Sequence, residues 1–197
     1  MQTVEFAHQH DIAILTISET WLNSSVTNRV IDIPGYKLYR LGRKYKKGGG
    51  VCVYLRDSLK AKLLKSLSQI NEPGFHQLWL TVQHAKLKSI IVCVAYRPPD
   101  CQPTCFVNDL TPALTSALAV GKEIFIAGDL NCNMLSDCVE SAKLREFCNT
   151  FNLTQLISQP TRVTAHSSTL LDVILTTNND LVSKSDVICT DISDHFP

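Results

Sequence analysis

The sequence predicts a single α/β domain, and three observations carry that prediction. Short apolar runs rich in β-branched residues recur along the chain, each closed by Gly, Pro or a polar cluster, as buried strands are. Two longer segments repeat their apolar residues at helical spacing instead. The length of 197 residues, with 45% apolar and 7% aromatic content, suits one globular domain able to bury roughly 70% of its unfolded surface.

Taken in order, Asp11 to Ile17 is the first buried strand, ending at Ser18-Glu19-Thr20-Trp21-Leu22. Asn23 to Asn28 is a polar loop and Pro34-Gly35 a turn. Gly50–Arg56, Phe75–Val82 and Ser89–Tyr96 read as strands with hairpin-length connections, the last closing in Tyr96-Arg97-Pro98-Pro99. Thr104 to Val120 places Phe106, Leu110, Leu114 and Leu118 on one helical face, with Pro112 either near a first turn or splitting the helix. Ile124 to Ala127 is a short strand that Gly128 breaks, and Asp129 and Asn131 follow it. A second helix covers Val139 to Phe151, then Leu153 to Ile157 is a short strand. Ser167 to Leu175 is another strand, with Asp172 embedded among apolar residues.

Composition excludes several classes of protein. No apolar run approaches the roughly 20 residues that span a bilayer, so no membrane partner is expected. The N-terminus lacks the basic and apolar regions of a secretory signal, which predicts an intracellular protein. The glycines at 48–50 lack the Gly-x-x-x-x-Gly-Lys-Ser/Thr spacing of a phosphate loop, and no small-molecule cofactor is expected. Eight cysteines include no Cys-x-x-Cys pair, and reduced thiols are expected. Net charge is only +1, yet residues 1–100 hold 14 Lys/Arg against 7 Asp/Glu, while 101–197 hold 5 against 11. A basic half suits a polyanion and an acidic half suits a cation.

The candidate site residues lie at strand ends. Asp129 and Asn131, two apart in an extended path, project from one face; the same residues would suit a turn whose side chains only cap the backbone. Glu19 stands at another strand end. Asp172 needs a partner, because an isolated buried carboxylate is costly, and Ser193-Asp194-His195 supplies an imidazole that a buried Asp could hold. Arg40, Arg43, Lys44, Lys46 and Lys47 surround a tyrosine in a loop that suits either a phosphate backbone or a solvated hairpin tip.

In order, Ser18-Glu-Thr-Trp-Leu22, Gly48-Gly-Gly-Val51, Tyr96-Arg-Pro-Pro99, Gly128-Asp-Leu-Asn131, Ser168-Thr-Leu-Leu-Asp172 and Ser193-Asp-His195 resemble one known pattern. It is that of the endonuclease/exonuclease/phosphatase superfamily, and most closely the endonuclease domain of LINE-type non-LTR retrotransposons. The resemblance runs from about Asp11 to Pro197. It implies a four-layer α/β sandwich, two facing mixed sheets flanked by helices, in a partial single domain over residues 1–197. It also implies hydrolysis of a phosphodiester with Mg²⁺ (Mn²⁺ as the alternative). Glu19 would ligate the metal, with Asp194 as a second carboxylate contact. Asp129 would orient or deprotonate the attacking water, Asn131 and Tyr96 would bond phosphate oxygens, and His195, held by Asp172, would donate to the same phosphate.

The basic loop and Arg97 would contact DNA, and a reverse transcriptase domain of the parent element would be the partner, acting in the nucleus. The resemblance further implies that the family's first strand, with an asparagine near the metal, and its last strand are lacking here. Two other readings stand beside this one: a weakened or inactive remnant that only binds nucleic acid, and a phosphatase, sphingomyelinase or deadenylase of the same fold.

Overall fold

The computed structural model describes residues 2–43, 48–86, 88–190 and 193–196. Helix α1 (Gln2–Gln9) occupies the leading residues, to which the sequence assigns no element. Strand β1 (Ile14–Ser18) follows, then β2 (Tyr36–Leu41) and β3 (Val51–Arg56). These three form a small antiparallel sheet in the order β1-β3-β2. Strands β4 (Lys60–Leu63), β5 (Gln69–Ile70), β6 (His76–Gln83) and β7 (Ile90–Tyr96) begin a larger sheet. A π-helical turn over Phe106–Leu110 runs into helix α2 (Thr111–Leu118), with Pro112 in its first turn, where the missing N–H costs nothing. The proline therefore both splits the expected helix and starts its second half.

Strand β8 (Ile124–Asp129), helix α3 (Val139–Thr150) and β9 (Thr154–Gln155) come next. The hairpin β10 (Arg162–Val163) and β11 (Ser168–Thr169) precedes β12 (Asp172–Thr176). The large sheet runs β4-β6-β7-β8-β12-β9, with β5 also on β6. Its one parallel pairing among the described residues is β7 with β8, bridged by α2 as a crossover connection requires. The small sheet is purely antiparallel, so only one of the two expected mixed sheets is mixed.

Strand alternation separates the interior into three seams, which are the spaces between four layers. Val51, Val53 and Leu55 of β3 meet Leu78, Leu80, Val92 and Val94 between the sheets. The intervening Cys52 and Tyr54 turn the other way and pack with Ala7 of α1. Trp79, Ile91, Cys93, Ile124 and Ile126 point outward beneath Phe106, Leu110, Leu114, Leu144 and Phe147. That two-residue period places successive side chains on opposite faces and buries both. All eight cysteines are free thiols, and six are buried. Among the described residues no helix is long and apolar enough to cross a membrane.

Candidate active site

Antiparallel register builds the centre of the site. Asp129 ends β8 and Asp172 begins β12, and the two are direct cross-strand partners. Opposed residues project from the same face, so two carboxylates stand side by side. Gly128 does not break β8 but lies within it at φ 139°. A Cβ there would sit 2.0 Å from the Ala95 carbonyl oxygen, so only glycine lets β8 pass β7 at this point. The Asn131 backbone N–H donates to Asp129 Oδ1 at 2.8 Å, and the Ser18 hydroxyl accepts from the Asp129 N–H at 3.3 Å. His195 Nδ1 lies 2.8 Å from Asp172 Oδ2. A backbone bridge to Arg162 and the Phe196 N–H bond to the Thr161 carbonyl hold the His195 segment in place. The Thr161 hydroxyl also accepts from the N–H groups of Leu171 and Asp172.

The electrostatics follow from that crowding. Asp129 is 4% exposed, and its burial, with the Asp172 charge opposite, raises its pKa to about 7. The hydrogen bond from His195 to Asp172 raises the imidazole pKa above its ordinary value, against its partial burial. The group therefore pairs an imidazole biased toward its charged form with a carboxylate that binds a proton more readily than usual.

Glu19 approaches from the small sheet. It follows β1 at φ 54°, and Trp21 follows at φ 55°, both in the left-handed region. Two glycines clamp this corner: Thr20 N–H donates to the Gly50 carbonyl at 3.2 Å and Trp21 N–H to the Gly49 carbonyl at 2.9 Å. Beneath it, fully buried His76 accepts from the Gly50 N–H at 2.9 Å and faces Arg43 Nε at 3.2 Å. Donors aim at both ring nitrogens, and one serves at a time in the neutral ring. Burial, then the Arg43 charge, lower the His76 pKa to about 4, so the ring is neutral. Its edge meets Tyr96 at a ring separation of 5.3 Å. The Tyr96 hydroxyl is near Glu19, and burial followed by the Glu19 charge pushes its pKa well up, so it stays protonated.

Glu19, Asp129, Asn131, Asp172, Asp194 and His195 all line one cleft of about 490 Å³. Other expected roles change. Tyr96, expected on a phosphate oxygen, is 3% exposed and is not among the residues that line the cleft. The Asn131 amide donates to the Arg97 carbonyl at 2.9 Å and to Asp129 Oδ2 at 3.3 Å. One hydrogen bond ties Asn131 to the backbone at Arg97 and the other orients Asp129. Asp194 pairs with Arg162 at 2.9 Å, which holds its carboxyl below the usual range. Arg97, expected on DNA, is 1% exposed. Its guanidinium donates to the carbonyls of Leu130, Asn131 and Cys101, inside the loop that carries Asn131.

Arg43 keeps only 9% of its side chain exposed, beside Glu72 at 3.2 Å, and half-buried Arg40 donates to the Val26 carbonyl. Both cations serve internal partners. Lys44, Lys46 and Lys47 lie outside the described residues. Two residues of the site's surroundings have no signal in sequence: Arg162, a cation on the cleft wall, and buried His76. Each acts on a partner tens of residues away.

The carboxylates that line the cleft are of the donor type a divalent cation takes. Asp129, Asp172 and His195 bring ligand-type atoms within 4.8 Å of one another. Glu19 and Asp194 line the same cleft outside that group. Burial raises the Asp129 pKa first and the Asp172 charge second, and a cation in the cleft would offset that second cause.

This sandwich, with its carboxylates and histidine gathered at strand ends, is the endonuclease/exonuclease/phosphatase fold. The endonuclease domain of TRAS1, a telomere-specific non-LTR retrotransposon, superposes with a TM-score of 0.78 at 16% identity, over 97% of this chain and 86% of that one. The AP endonuclease LMAP of Leishmania major gives 0.65 at 14%, over 97% and 78%. A mannosyl-6-phosphatase of Bacteroides thetaiotaomicron gives 0.66 at 13%, over 99% and 86%. No curated protein matches the sequence. A family model described as endonuclease-reverse transcriptase matches residues 90–197, and the chain belongs to that family.

Proposed function

We propose that this chain is a metal-dependent phosphodiesterase that nicks DNA, the endonuclease of a non-LTR retrotransposon. The nick would leave a 3′-hydroxyl to prime reverse transcription by a polymerase domain elsewhere in the parent element, acting in the nucleus. The observation that carries this reading is the Asp129–Asp172–His195 cluster in the cleft of a family member. Asp129, held by Asn131, accepts a proton from water as its oxygen bonds phosphorus. His195, held by Asp172, donates a hydrogen bond to a non-bridging phosphate oxygen as charge builds, while the bond from phosphorus to the 3′ oxygen breaks and that oxygen takes a proton from solvent water. Glu19, with Asp194 lining the same cleft, would hold Mg²⁺ or Mn²⁺, which would supply positive charge to the phosphate.

The mannosyl-6-phosphatase likeness favours a second reading, a phosphomonoesterase in the same cleft. Nicking of supercoiled plasmid in Mg²⁺ separates the two, with EDTA, Asp129→Ala and His195→Ala as controls. Nicking lost in all three supports the endonuclease. A folded protein that releases phosphate from a sugar phosphate but leaves plasmid intact supports the phosphatase. Salt-sensitive DNA binding without hydrolysis, unchanged by Asp129→Ala, would mark a remnant.

A further inference from the structure

Trp21 is the feature that the cleft chemistry leaves unexplained. It lines the cleft, yet it is 62% exposed and belongs to none of the three buried seams. An isolated exposed apolar residue is ordinary. This one also holds a left-handed backbone at φ 55°, a conformation that is an outlier for a bulky residue. The strain is held by the Gly49 carbonyl, which accepts the Trp21 N–H at 2.9 Å, and by Leu22 N–H donating to the Thr20 hydroxyl at 3.4 Å. The indole lies against Gly48: a Cβ there would come 4.0 Å from its Cε2. Strain maintained by surrounding bonds, with an indole turned toward solvent as the result, points from geometry to use.

Resting on the endonuclease reading, we propose that Trp21 is the base-stacking platform of the cleft. It would take one face of an unstacked nucleobase flanking the scissile phosphate. Glu19, two residues earlier on the same clamped corner, fixes the distance between platform and phosphate. An indole face stacks on any base, so the contact is sequence-tolerant. It selects a polynucleotide over a base-free phosphate ester. A sugar phosphate has no flat π-face to lay on it.

The chain has two tryptophans, and Trp79 is fully buried with its indole N–H on Gln77. Quenching of tryptophan emission by an added oligonucleotide therefore reports on Trp21. Two twelve-residue probes of equal charge are compared in Mg²⁺: oligodeoxythymidine, and its abasic tetrahydrofuran counterpart. Binding of fluorescently labelled probe is followed by anisotropy for the wild type, Trp21→Phe and Trp21→Ala, with unchanged thermal unfolding confirming that the variants fold. We expect the thymidine probe alone to quench. Its binding should weaken roughly five- to hundredfold in Trp21→Ala and little in Trp21→Phe, while abasic binding holds. Equal losses on both probes, or no loss on either, overturn the platform. Plasmid nicking that persists alongside that result leaves the endonuclease reading intact. A wild type that binds neither probe and nicks nothing removes both.

Discussion

On one flank of the cleft, Asp129 and Asp172 face each other across two paired strands, and His195 is bonded to the second. On the other, Glu19 and Trp21 stand on an irregular corner held by glycine carbonyls, with Tyr96 and neutral His76 behind it. Sheet register places the first set, so its groups are close because the backbone ladder makes them so. Backbone strain and a buried polar chain place the second. The first flank gathers titratable groups on paired strands; the second rests on backbone hydrogen bonds and buried rings. The two should therefore fail differently when perturbed.

The largest effect belongs to Asp172→Asn. The variant keeps the register but removes the charge that holds the His195 proton. Nicking should fall on the order of 10²- to 10⁴-fold, and NMR should show the His195 pKa dropping toward the ordinary imidazole range. A titration unmoved by the substitution would break the claim that this flank works as one electrostatic unit.

Asp129→Asn should act on stability with a defined pH signature. Native Asp129 keeps its proton up to about 7, whereas an unfolded aspartate releases it near 4. Between those values the native state binds more protons, so the wild type in EDTA loses stability as pH rises through that window, by on the order of 2–4 kcal/mol. His195, with its raised pKa, stabilises below about 6.5 and is lost as pH climbs through its folded value, so it acts above most of that window. Urea denaturation at pH 5 and pH 7 should show the wild-type decline and a nearly flat Asp129→Asn variant. Parallel declines would mean that Asp129 is not the group responsible.

How legible each flank is in sequence follows from the same contrast. Apolar runs with two-residue alternation revealed the sandwich strands, and Asp129, Asp172 and His195 stand at ends that such runs mark. Register converts those positions directly into proximity. Nothing local reveals that Asn131 spends its amide on Asp129, or that the Arg97 guanidinium turns inward to three carbonyls. Those outcomes depend on which carbonyls the folded loops leave unpaired. His76 reads as an ordinary strand residue, because its partners, Gly50 and Tyr96, are brought to it only by the packing of two sheets. Helix α1 has no legible sequence pattern, because its eight residues bury only Ala7.

The positional flank is tested at His76. His76→Gln keeps an acceptor for the Gly50 N–H, whereas His76→Leu leaves that buried donor unpaired, at a cost of about 1–3 kcal/mol. The Leu variant should lower nicking about tenfold, consistent with a small misplacement of Glu19 and Tyr96, and Gln should recover most of it. Because His76 is already neutral, neither variant should change the shape of the pH–rate profile. A shifted profile would show that this corner joins in proton transfer after all.

The smallest effect is expected where the sequence promised the strongest DNA contact. A lysine or arginine on a phosphate contributes about one unit to the slope of log affinity against log salt. Arg43 is committed to Glu72 and His76 instead. Arg43→Ala should therefore leave the DNA-binding salt slope within a few tenths of wild type while lowering the urea midpoint. A slope reduced by about one would mean that Arg43 leaves its internal partners when DNA binds. The corner under Glu19 would then be remodelled by substrate, and the division between a charged flank and a rigid positional flank would not hold in the complex.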